Sequence, residues 1–205
     1  MFNLRELLDL FTGRTSMESF AGNRISVTSG ATTYAMIFGV IAFLFLVEAL
    51  VFRLGFFFMG ANEGFVAFLI AVGLMIVAAL VIIPVGLIAE LAFIYVWGAF
   101  HYALARFYSN KPGLMNDFNG SLMALFSSLK LAQGLVFLVP VIGWLAAGVM
   151  QLYGLLLTFR FMKEKFNLSD AQAAIVVLIP FNLALGVLLL AALTASFALI
   201  GTRFF

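Results

Sequence analysis

Five polar side chains stand inside apolar runs long enough to cross a bilayer: Glu48, Glu90, Lys130, Gln151 and Asn182. A charge held in hydrocarbon is expensive unless it is paired or hydrated, so each needs a reason to be there. Two kinds of chemistry supply one. The residues can line a pathway or ligand pocket for a polar solute, or they can satisfy one another in an internal network that fixes helix register; the second is the more frequent. Counting ~1.5 Å per residue from the basic end of each run puts Lys130, Gln151 and Asn182 roughly 15 to 18 Å deep, and Glu48 and Glu90 nearer ~25 Å. A bend at Pro84 would bring Glu90 down toward Lys130. Lys130 is therefore expected to be compensated inside the bundle, with Glu90 as its counter-ion and Gln151 or Asn182 completing its hydrogen bonds.

Other chemistries find little support. His101 is the one histidine and has no partner near it in sequence, which disfavours a triad and favours a helix-to-helix hydrogen bonder or an interfacial residue. Metal ligands at close spacing are lacking, the glycines are scattered rather than gathered into a phosphate loop, and there is no cysteine. The expectation is a protein that is not an enzyme, uses no cofactor and no metal, and does not bind nucleic acid.

The elements that must position these residues follow from charge and hydropathy. With Lys+Arg 11 and Asp+Glu 9 among 205 residues, and 65% of the chain apolar, a water-soluble domain could not clothe its own surface. The basic residues cluster at Arg5, Arg14 and Arg24, at Arg106 and Lys111, and at Arg160, Lys163 and Lys165. Apolar runs lie between them: Thr33 to Phe58, Phe65 to Phe107, Asn119 to Val139, Gly143 to Phe161, and Ala171 to about Ile200. The second is roughly twice the ~20 residues a bilayer needs. Cytoplasmic loops collect Lys and Arg, and all three clusters fall on one side only if that run crosses once. The sequence thus predicts an all-α, five-helix transmembrane bundle, N-terminus cytoplasmic and C-terminus external. Six spans is the alternative. Pro140-Val141-Ile142 makes an uncharged external turn, and Ser169-Asp170 caps the last helix.

Residues 1–30 read as a cytoplasmic segment. Phe2, Leu4, Leu7, Leu8 and Phe11 recur at helical spacing opposite Arg5, Glu6 and Asp9, as an interfacial helix on the inner leaflet would require; packing against the protein is the other use of such a face. Gly13, Gly22 and Gly30 with the intervening Ser, Thr and Asn read as a polar connector, and no signal peptide is expected. In the third run Gly120, Ala124, Ser128 and Ala132 recur every fourth residue, a stripe that lets a helix approach closely, either within the bundle or in a second protomer. Phe56, Phe57 and Phe58 at the outer end of the first run are expected in lipid or at the interface. Arg106, Lys111, Arg160, Lys163 and Lys165 converge on a cytoplasmic face that could meet a partner or anionic lipid.

From His101 onward the chain resembles the Yip family of membrane proteins, named for their interaction with Ypt/Rab GTPases, and in particular its prokaryotic branch. The similarity rests on His101 and Arg106 closing the second helix, then Phe118, Ser121-Leu122 and Phe126-Ser127 in the third. It continues through Pro140-Val141-Ile142-Gly143, Tyr153, Asn167-Leu168-Ser169 and Ala173. It covers about the C-terminal half. The resemblance implies a five-span domain over 31–205 and a non-enzymatic scaffold, adaptor or assembly and trafficking factor. It also implies residence in a bacterial or archaeal cytoplasmic membrane, with a protein partner of unknown identity. Eukaryotic relatives bind Rab-type GTPases, and the short N-terminal segment here makes that the weaker expectation. A small-solute or lipid transporter or channel using Glu48, Glu90 and Lys130 is the alternative.

Overall fold

The computed structural model describes residues 4–58, 64–109, 113–137 and 142–201. These residues are mostly helical, with no strand among them. Two short helices, α1 (Leu4–Phe11) and α2 (Met17–Gly22), precede five long ones: α3 (Val27–Phe58), α4 (Phe65–Tyr108), α5 (Met115–Phe137), α6 (Ile142–Phe166) and α7 (Asp170–Gly201). Three of them, α3, α4 and α5, are long and apolar enough over their described residues to cross a membrane.

Hydropathy and burial run in opposite senses. In the most apolar stretch of α4 only 6% is buried, and the same holds for α3, whereas in α5, the least apolar of the three, 67% is buried. A protein folded in water would do the reverse. A lipid-exposed surface of Leu, Ile, Val and Phe around a more polar central helix is the arrangement hydrocarbon selects, since apolar side chains gain nothing there by turning inward. The long apolar helices thus mark an integral membrane protein.

Direction follows from which residues meet. A Cβ on Gly30 would collide with the Gly120 backbone, and one on Gly134 would lie 2.5 Å from Ile41 Cδ1, so α3 and α5 run the same way. Helix α4 opposes them, because Gly98 faces Asn119 and Leu122 while Glu90 lies at Lys130. Helix α6 opposes α5 likewise: Gly154 lies against Leu129 and Phe161 stacks on Phe118. The end where α4 and α6 finish is held by aromatic packing of Phe118 on Phe161, Phe166 and Tyr102, and by Ser109 Oγ donating to Phe166 O at 2.9 Å.

Several boundaries depart from expectation for local reasons. Helix α3 begins at Val27 rather than Thr33, because Ser26 Oγ accepts from Ser29 N at 3.2 Å and caps the Thr/Ser/Gly stretch into the helix. The connector expected around Gly13 and Gly22 holds a helix, α2, capped by Ser16 and anchored by buried Phe20 against Phe161. Helix α4 is a single continuous helix through Pro84, about 66 Å long at ~1.5 Å per residue. Helix α6 runs on to Phe166, so Arg160, Lys163 and Lys165 ride its last turns instead of a loop. Asn167 at φ 52 ends it in the left-handed region, and Leu168 N returns to Lys163 O at 3.0 Å. Ser169 and Gln172 then exchange hydrogen bonds of 3.0 and 3.3 Å as a capping box for α7.

Helix α1 turns Leu7 and Leu10 into the bundle against α5, and its end is fixed by Tyr153 donating to Phe11 O at 2.6 Å; Leu8 stays exposed. Phe57 packs on Phe68, with centroids 4.5 Å apart, and so joins α3 to α4 instead of facing lipid, whereas Phe58 is exposed. The Phe56 side chain, Lys111 and the Pro140-Val141 turn lie outside the described residues.

Candidate functional site

Three helices bring charge together at one point. Lys130 Nζ on α5 donates to both carboxylate oxygens of Glu90 on α4, at 2.7 and 2.9 Å. Tyr34 on α3 donates its hydroxyl to Glu90 Oε2, and the Phe38 ring, one turn on, lies 5.1 Å from the ammonium. The carboxylate is thus neutralised by a bidentate cation and a phenol, and the ammonium gains a cation–π contact. Local sequence explains the convergence. Gly30, Tyr34, Phe38 and Ile41 recur at helical spacing along the α3 face that meets α5, and Gly120, Lys130 and Gly134 answer from α5. Because Gly30 and Gly120 have no side chain, the two backbones touch, which places Tyr34 within reach of Glu90.

The pair borders a cavity of about 540 Å³ between α4, α5, α6 and α7. Its wall carries Phe93 and Trp97, stacked at 5.5 Å and 19°, then His101, Phe126, Gln133 and Gln151. Side-chain exposures of 39% for Glu90 and 26% for Lys130 are consistent with a face open to that space. His101 is itself buried; its Nδ1 lies 2.9 Å from the carbonyl of Trp97, a group that can only accept, so the Nε2 lone pair is left as the acceptor.

The five polar residues read from sequence divide. Glu90 and Lys130 are in direct contact, and Gln151 shares their cavity. Asn182 is exposed and donates to Leu178 O on its own helix at 2.8 Å. Glu48 is half-buried on α3, ~21 Å along the helix axis from Tyr34, and does not line the cavity. Tyr34 was missed. Its signal was its place one turn before Phe38, on the face that Gly30 starts.

Gly120, Ala124, Ser128 and Ala132 are all buried, and Gly120 of the stripe is where the α5 backbone meets α3. Asn119 is fully buried, its amide has no hydrogen-bond partner among the described residues, and it occupies the space that the missing side chain of Gly98 leaves.

The basic residues have different duties. Lys163 pairs with Asp170 at 2.6 Å, joining α6 to α7, and that hydrogen bond with its attendant charge raises the lysine pKa. Lys165 donates to Ala21 O at 2.8 Å and Asn23 O at 3.1 Å, tying α6 to the segment before α3. Burial lowers its pKa, Asp117 raises it and Arg24 lowers it again. Arg106 and Arg160 are exposed at the same end. The residues quoted for the family resemblance lie mostly in the packing of this end, with His101, Phe118, Ser121, Leu122, Ser127, Leu168 and Ala173 all buried.

No protein-family model, curated protein or solved structure matches the chain.

Proposed function

We propose that the chain is a multi-pass membrane scaffold or adaptor of the Yip type, five spans with its basic end in the cytoplasm, working without catalysis. The observation that carries the reading is the meeting of Arg24, Arg106, Arg160, Lys163 and Lys165 at the one end where Ser109 joins Phe166 and Lys165 joins Ala21 and Asn23. Positive charge at loop ends retains them in the cytoplasm and offers a surface to an acidic partner or anionic leaflet. Lys163 and Lys165 are committed to internal contacts, so docking falls to the exposed Arg24, Arg106 and Arg160.

Gentle purification of the protein and of an Arg24→Gln/Arg106→Gln/Arg160→Gln variant tests this. A partner recovered with the first and lost with the second supports the scaffold. Equal recovery removes the basic face from the account. A carrier for a small solute or lipid is the second reading, favoured by the cavity beside Glu90 and Lys130; Glu48, outside that cavity, has no part in it.

A further inference from the structure

The cavity between α4, α5, α6 and α7 has a charged floor, an aromatic wall and an apolar mouth, and we propose that it binds a membrane lipid whose head is uncharged and carries a hydroxyl or carbonyl oxygen. Phe93, Leu152 and Phe181 belong to its lining, and they are 61%, 65% and 38% exposed, so its open side is bordered by large apolar side chains. Those three residues open the cavity toward acyl chains, the phase a lipid would enter from. A ligand arriving from water would need a polar mouth.

The floor selects the head. Glu90 and Lys130 sum to zero charge, so a neutral head enters without leaving a charge uncompensated, whereas an anionic or cationic one must strip the pair or stand unpaired. At about 3 kcal/mol per charge in the membrane interior, that discriminates by about a hundredfold. An ammonium has three N–H donors, and Glu90 takes two of them. The third suits a carbonyl or hydroxyl oxygen, and a ligand hydroxyl can in turn donate to the Glu90 carboxylate. A volume of about 540 Å³ accommodates the head and the start of the chains while the rest leaves through the mouth. The site is distinct from the basic face, so it does not depend on the scaffold reading, and binding requires no transport.

Because the chain has two tryptophans, a Trp144→Phe background leaves Trp97, in the cavity wall, as the one indole emitter. The full chain is placed in phosphatidylcholine nanodiscs containing diacylglycerol with dibrominated acyl chains, or phosphatidylserine with the same chains. Saturable quenching by the diacylglycerol at a mole fraction at least about tenfold lower than for the phosphatidylserine is expected. Gly148 lines the cavity and a Cβ there would meet nothing within 4 Å, so Gly148→Phe should fold and raise the midpoint about tenfold. Gly73→Phe, on an equally open position of α4 away from the cavity, should leave it unchanged. Should Gly148→Phe not fold, Phe93→Ala at the mouth must weaken quenching instead. Equal quenching by both lipids, preference for the anionic one, or no response to either cavity variant would overturn the proposal. Saturable quenching without lipid flux across vesicles would support the site and count against the carrier.

Discussion

Glu90 and Lys130, forty residues apart on antiparallel helices, meet as a bidentate ion pair with both oxygens within 2.9 Å of the ammonium. A pair so placed does two things. It removes the cost of each charge, and it fixes the register of α4 against α5, since a slip of one residue would carry one partner around its helix.

Breaking the pair should therefore cost more than removing it. Lys130→Met or Glu90→Gln alone leaves the other partner exposed to a low dielectric and should lower stability in detergent by about 3 kcal/mol. The double variant should recover part of the loss. Thermal melts of all four proteins give the coupling directly, and simple additivity would mean that the two side chains do not act as a unit.

Tyr34→Phe removes only a hydroxyl from the carboxylate and should cost about 1.5 kcal/mol, the range for a hydrogen bond to a charged group. In a Glu90→Gln background the same change should cost clearly less. An equal penalty in both backgrounds would place the role of Tyr34 in packing alone.

The close approach of α3 and α5 gives a steric test. Gly30→Ala and Gly120→Ala each put a methyl into opposing backbone, which cannot step aside as a flexible side chain would, and should cost about 3 kcal/mol or prevent folding. Gly39→Ala, on the same helix but facing open space, should be neutral or add about 0.5 to 1 kcal/mol through helix propensity. Similar effects at Gly30 and Gly39 would disprove the backbone contact.

Much of this arrangement was legible in the sequence, and the omissions have physical causes. Lengths and polarity marked the long helices, because hydropathy needs no tertiary information. A lysine and a glutamate stranded in hydrocarbon announced each other for the same reason. Tyr34 did not, since a tyrosine near a helix start is ordinary at any interface and only the Gly30–Gly120 contact puts it beside Glu90. Lys163 and Lys165 looked like a loop cluster because positive residues usually lie beyond a span, yet left-handed Asn167 ends the helix only after them. Capping at Ser16 and Ser26 turned an expected connector into helix, an outcome that a Gly- and Ser-rich composition conceals.

Alkaline pH distinguishes the two lysines of α6. Burial holds Lys165 below the ordinary lysine value, opposed by Asp117 and reinforced by Arg24, so the folded state binds fewer protons than the unfolded one between its lowered pKa and the usual value. Stability relative to Lys165→Met should then rise with pH across that window. Lys163, raised by Asp170, works in the opposite sense: its contribution is present below the usual lysine value and fades as pH climbs through the raised one. Chemical melts at stepped alkaline pH, with each lysine replaced by Met in turn, should show the opposite slopes. Parallel slopes would refute the assignment.

The central claim is that the basic end of a membrane-spanning bundle faces the cytoplasm, and a chain without cysteine allows it to be read one position at a time. Gly113 lies at the end where α4 meets α5 and Gly64 at the start of α4, and a Cβ on either meets nothing within 4 Å, so cysteines there should not disturb the fold. With a membrane-impermeant maleimide on intact spheroplasts, the account predicts labelling of Gly64→Cys and protection of Gly113→Cys, with the pattern reversed in inverted vesicles. Labelling of Gly113→Cys from outside, or of both positions from the same side, would contradict it.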